Sequence, residues 1–357
     1  MANRSPLLAF LVDRHSVDAF DPQQWSLLFA EARAASVLPR LAVELQARPG
    51  RGEVPEVWAG QVRAALQQMA AFVADVGREL VFIDQAVDPL PTRVILLKGA
   101  AYAAAGLPAA RGRVFSDVDL LVERECLGAA EAALMLAGWN AGHLSAYDQR
   151  YYREWSHEVP PMMHLKRGTT IDLHHSLVMP TCRIKVDVAS MIAAAVPIAG
   201  PGKRYRLNDT DIVLHAASHL LFNSEFDKGL RDLWDIDLLV RHFSADNPGY
   251  LAGLLERADR VGLGKVIRRA LTLCQRLFGL DLPTALPLQG GAVMALLLRA
   301  ASTRHPDARP GGQTAADQLL MLRELYLRLP AHLLVRHLWH KAAQLFAAEP
   351  APGKAEA

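Results

Sequence analysis

The sequence predicts an α+β fold: a small mixed β-sheet core flanked by helical N-terminal and C-terminal regions. Three observations predict it. Apolar residues recur at steps of three and four before residue 88 and again after residue 208. Between those stretches, short strand-like runs alternate with helical pieces. Two aspartates, Asp117 and Asp119, stand at alternate positions at the head of one such run. The expected division is a helical region over 1–90, a core over 91–207, a helical region over 208–347 and a disordered tail over 348–357, rich in Pro, Gly and charge.

In chain order, Asp21-Pro22 reads as a cap with proline at the first helical position. Trp25, Leu28 and Phe29 follow at helical spacing, and Ser36–Leu45 reads as a second helix. Arg48–Gly52 is a turn-rich break. A long helix then carries Trp58, Val62, Leu66, Met69, Phe72, Val73, Val76, Leu80 and Ile83 at steps of three and four, and Asp88-Pro89-Leu90-Pro91 ends it. Val94–Leu97 is an apolar strand, Lys98-Gly99 follows at once, and Ala100–Ala105 is a small-residue helical piece. After a Gly/Pro/Arg loop comes Ser116-Asp117-Val118-Asp119, running into Leu120–Val122. Leu127–Leu136 is a helix with Gly138 as its stop. His164-Leu165-Lys166 and Thr169–His174 read as strands joined through Arg167-Gly168 in a hairpin. Further helices are expected from Asp209, over Lys228–Phe243, around 251–278 and 291–302, and as a pair over 315–347.

Bulk properties narrow the partners. With 357 residues and 51% hydrophobic composition, the chain has ample material for a large core and for two or three domains. The formal net charge is +2 with no basic block, so a nucleic-acid partner is not expected. Cys126, Cys182 and Cys274 are far apart and odd in number, which fits a reducing cytoplasm better than a disulfide framework. The apolar run at the N-terminus is too short for a signal peptide, and no run is long enough for a membrane span.

In a strand, residues two apart point to the same side, so Asp117 and Asp119 project together. Two carboxylates held side by side repel and call for a cation, and hard oxygen ligands suit Mg²⁺. Two solvated acids at a turn are the plainer alternative. Asp is depleted in strands, however, and a pair entering an apolar run needs a reason.

A D-x-D at a strand edge, behind a strand ending in Gly, resembles the nucleotidyltransferases of the DNA polymerase β superfamily. The local wording L-L-K-G-A-A-Y, Arg113 four residues before Asp117, and D-V-D-L-L-V resemble the bacterial family labelled uncharacterised nucleotidyltransferase. The resemblance implies transfer of a nucleoside monophosphate from an NTP, with ATP the expected donor, to an acceptor hydroxyl, using two Mg²⁺ ions. It implies a third carboxylate on a neighbouring strand, and Asp172 in Thr170-Ile171-Asp172-Leu173-His174 matches that segment, with His174 beside it. Asp117, Asp119 and Asp172 would then be the catalytic and metal-binding residues. Lys98, Gly99, Arg113 and Ser116 would bind the nucleotide: glycine allows close approach to phosphate, and the cations offset its charge. One departure is plain. Superfamily members carry Gly-Ser or Gly-Gly-Ser at the phosphate end, closer to the D-x-D, whereas this chain has Gly99-Ala100 and a longer loop.

Other clusters read more simply. His215 and His219 lie four apart in an apolar helix and are expected to pack there, since no H-E-x-x-H is present. His157-Glu158 reads as a surface pair, with lining of the substrate cleft as the alternative. Asp232 and Asp235 share a face of a helix that packs over the cleft. The acceptor is open to a small molecule, a sugar or a protein. A non-catalytic nucleotide-binding scaffold in a peptide- or polysaccharide-modifying pathway, and a metal-dependent hydrolase, are the rival classes.

Overall fold

The computed structural model describes residues 5–47, 54–142, 145–200, 202–222, 226–283, 286, 289–336 and 339. Seven strands make one mixed sheet: β1 (Val94–Leu96), β2 (Asp117–Leu121), β3 (Trp139–Ala141), β4 (Met162–His164), β5 (Thr170–His174), β6 (Val196–Pro197) and β7 (Arg204–Arg206). Their order is β3-β4-β5-β2-β1-β7-β6. β2 lies between β5, to which it is parallel, and β1, to which it is antiparallel. It is buried along Val118–Leu121, as a strand with neighbours on both edges should be.

The β4–β5 hairpin forms as expected, but its first strand sits earlier than His164–Lys166. His164 Nδ1 accepts the backbone N–H groups of Lys166 and Arg167 at 3.1 and 3.2 Å, and this bends those residues into the turn. Gly168 completes the turn with φ +71°. The stretch expected as one helix around 251–278 is two, Tyr250–Arg260 and Gly264–Phe278. Gly262 breaks it at φ +87°, where a Cβ would strike the Lys185 carbonyl oxygen. The expected break at 48–52 and the tail at 348–357 lie outside the described residues, as does most of 337–347.

The helices pack on the sheet through one continuous apolar core reaching from Leu7 to Leu320. Asp21 caps the helix Pro22–Ala34 in a full capping box with Gln24. The 32-residue helix Glu56–Val87 is tied to the β4–β5 turn by Glu79, which binds Arg167 and Thr169. It is tied to β7 by Asp84 and Arg204. A second tie crosses the molecule. Arg40, from the helix Leu38–Gln46, donates to Asp235 Oδ1 at 2.7 Å and to the carbonyls of Ala109 and Arg111. The loop comes this close because Gly112 has no side chain: a Cβ there would run into the Arg40 backbone. Among the described residues no helix is long and apolar enough to cross a membrane.

Candidate active site

Register builds the site. β2 and β5 pair so that Asp119 stands opposite Asp172 and Asp117 opposite Thr170. Side chains alternate along each strand, so Asp117, Asp119 and Asp172 share one face. One carboxylate oxygen from each lies within 4.8 Å of the others. Asp119 is buried, while Asp117 and Asp172 are half-buried. Asp172 Oδ1 is shielded from solvent and has no hydrogen-bond partner among the described residues. Burial, reinforced by the carboxylates of Asp119, Glu158 and Asp117, pushes the Asp172 carboxyl up to about 7. Three converging carboxylates with an orphaned oxygen are the donor set a hard divalent cation would satisfy.

Asp119 already has company. The Leu97 N–H donates to the Asp119 carbonyl at 3.0 Å, bringing the end of β1 against β2. The next residue, Lys98, takes φ +44° and starts the helix Lys98–Ala104. Its Nζ rests 2.6 Å from Asp119 Oδ1. His174 Nε2 lies 3.1 Å from the same oxygen. Burial alone would raise the Asp119 carboxyl, but Lys98 and His174 outweigh it and hold it well below the usual carboxylate range. Conversely, burial disfavours the Lys98 ammonium, and Asp119 more than restores it. Asp119 therefore stays ionised, with its second oxygen free of these two bonds.

Two hollows adjoin this face and share Lys98, Asp117 and His219. The smaller, about 200 Å³, is walled by Gly99, Arg113, Ser116, Lys228 and Arg231. It is rich in cations, yet Arg113 is already committed. The Arg113 Nε is 3.1 Å from Asp235 Oδ2, and its guanidinium lies over the Tyr102 ring. Ser116 donates to Asp117 Oδ1 at 2.8 Å. The larger hollow, about 310 Å³, is lined by Tyr151, Tyr152, His157, Glu158, Met179 and Arg328, among others.

All seven residues singled out from the sequence thus line one connected region. The sequence left His157 and Glu158 between a surface pair and a cleft wall: both are half-buried and line the larger hollow, and Glu158 Oε2 lies 3.4 Å from His174 Nδ1. No periodic signal marked this wall: Val159 and Leu173 pair backbone to backbone and set Glu158 beside His174. His215 is packed as expected, and burial lowers its imidazole to about 3. His219 reaches the junction of the hollows. Asp235 is buried between Arg40 and Arg113, whereas Asp232 lines the smaller hollow.

The family described as uncharacterised nucleotidyltransferase matches residues 21–279, from the Asp21 cap to Gly279 at the end of the helix Gly264–Phe278. No curated protein and no solved structure matches the chain significantly.

Proposed function

Because the chain belongs to the uncharacterised nucleotidyltransferase family, we propose that it moves a nucleoside monophosphate from an NTP, ATP being the expected donor, to an acceptor hydroxyl. One observation carries this reading. Asp119 and Asp172 are register partners on parallel strands, with Asp117 on the same face, beside a hollow walled by Lys98, Gly99, Lys228 and Arg231. The smaller hollow takes the triphosphate, and the larger takes the acceptor. Lys98, Gly99 and Ser116 lie against the phosphates. Arg113 adds its field from behind, its charge shared with Asp235.

Asp117, Asp119 and Asp172 would hold two Mg²⁺ ions, which when bound supply charge neutralisation for the triphosphate and acidify the acceptor hydroxyl. The acceptor oxygen forms a bond to the α-phosphorus, and the bond from that phosphorus to the oxygen bridging to the β-phosphate breaks. Pyrophosphate leaves, and the acceptor proton passes to the Asp172 carboxylate. The catalytic contribution is positioning and preorganised charge rather than covalent chemistry. The three cysteines are free thiols, so a reducing compartment, the cytoplasm, is the expected setting.

A scaffold that binds NTP without turnover is the second reading, favoured by one contact: the Lys98 ammonium is seated on Asp119 where a cation is needed. Labelled nucleotide decides between them. With Mg²⁺ and a fractionated cell extract as acceptor source, label at the α-phosphate should pass to an acceptor, and label at the γ-phosphate should leave as pyrophosphate. Label from the γ-phosphate appearing on the acceptor would make the protein a kinase instead. NTP binding with no label moved under any fraction would favour the scaffold.

A further inference from the structure

Beside the three aspartates lies a second group of ligand atoms that the transfer reading leaves unused. His157, Glu158 and His174 each offer one donor atom, and these lie within 4.8 Å of one another. Glu158 Oε2 is 3.4 Å from His174 Nδ1 and 3.8 Å from His157 Nε2. Donor atoms bound to one tetrahedral ion at about 2.1 Å stand roughly 3.4 Å apart, so the spacing suits a common centre. The backbone fixes the set. Glu158 and His174 form an isolated antiparallel bridge, and the His175 N–H donates to the His157 carbonyl at 2.9 Å.

The orientation of His174 supplies an independent argument. Its Nε2 is 3.1 Å from Asp119 Oδ1, a carboxylate oxygen that can only accept, so Nε2 carries a hydrogen. The other ring nitrogen, Nδ1, is left on the side of Glu158, whose Oε2 lies 3.4 Å from it. A carboxylate on the far nitrogen is also how histidine ligands are commonly oriented and made more basic. The described residues offer His157 Nδ1 no hydrogen-bond partner, so no protein group fixes that ring in another role.

We infer that His157, Glu158 and His174 form a binding site for one divalent transition-metal ion of the Zn²⁺ class, separate from the all-carboxylate site. Two imidazoles and one carboxylate select a borderline ion over Mg²⁺, while the three aspartates prefer the harder one. Asp119 links the two sites, touching His174 on one side and sharing the carboxylate cluster on the other. The remaining coordination positions open to the larger hollow, where a water or a donor atom of a bound molecule completes the ion. The site stands on its own geometry and does not rest on the transfer reading.

The test uses the full chain and Co²⁺ as a visible probe, titrated in the presence of excess Mg²⁺. Wild type should bind one Co²⁺ with ligand-field absorption of a low-symmetry nitrogen and oxygen site. His157→Ala and Glu158→Gln should each weaken it by about 10–100-fold or more, whereas Asp117→Asn should leave it unchanged. Circular dichroism checks each fold, and Glu158→Gln, the near-isosteric change, decides if His157→Ala does not fold. Absence of Co²⁺ binding in wild type, unchanged affinity in Glu158→Gln, or a loss that follows Asp117→Asn would each overturn the site. No nucleotide enters the experiment, so its failure is separable from failure of the transfer reading.

Discussion

At the scale of single residues, the three aspartates are not equivalent, and their variants should differ in kind. Asp117 is half-buried and, among the described residues, its side chain is bonded by the Ser116 hydroxyl alone, so Asp117→Asn should keep the fold. Turnover should fall about 10²–10³-fold or more, because shape is kept and charge is lost. Near-normal turnover would remove Asp117 from the site. Asp119 balances the buried Lys98 ammonium. Asp119→Asn should therefore also destabilise the protein, by about 3 kcal/mol or more, as breaking one side of a buried pair does. The double variant Asp119→Asn, Lys98→Met should recover much of that stability, measured by denaturant unfolding, and none of the activity. Asp172 gives a pH signature. Its folded-state value is raised to about 7 from 3.8, so its charge destabilises the cation-free protein fully above about pH 7. That penalty fades as the pH falls from 7 towards 4. Between about pH 8 and 6, wild type should gain melting temperature relative to Asp172→Asn, and Mg²⁺ binding should weaken with release of a proton. Parallel pH slopes in the two proteins would contradict the shift.

At the scale of elements, the turn from β1 into the helix Lys98–Ala104 decides where the cation of Lys98 goes. A Cβ at Gly99 would meet the Phe115 ring closer than real contacts allow. Phe115 in turn packs edge-on against Phe72 of the long helix Glu56–Val87. Gly99→Ala should thus cost about 1–3 kcal/mol through forced repacking, and Phe115→Leu should relieve part of it in the double variant. Equal unfolding midpoints for wild type and Gly99→Ala would show that Phe115 yields freely. This is a constraint that local wording did not carry: Gly99 reads from sequence as a phosphate approach, while its packing partner sits sixteen positions on. The long-period helices and the D-x-D strand were legible because their patterns repeat within a few residues. The two- and three-residue strands β3, β6 and β7 were not, since each exists only by pairing with a neighbour. Asp172 was legible through the strand-like segment Thr170–His174, which the family resemblance matches. Glu158 was not, because a bridge between two loops and a strand end leaves no periodic trace.

At the scale of the whole molecule, the face proposed to carry transfer depends on contacts far from it. Arg40 joins the N-terminal helices to Asp235 and to the loop leading into β2, and Asp235 also holds Arg113. Arg40→Met should destabilise the chain and loosen that loop. Hydrogen exchange should rise across 109–116, with the effect on NTP affinity exceeding the effect on turnover of bound nucleotide. Exchange confined to the neighbourhood of residue 40 would argue against that coupling. If the face formed by β2 and β5 transfers a nucleotide, Asp172 serves the attacking oxygen more than the bound triphosphate. The most direct measurement pairs NTP affinity with pyrophosphate release for Asp172→Ala, with an extract supplying the acceptor. Affinity should stay within a few-fold of wild type and release should be abolished, a loss confined to the transition state. Full release by Asp172→Ala, or loss of NTP binding in step with release, would contradict it.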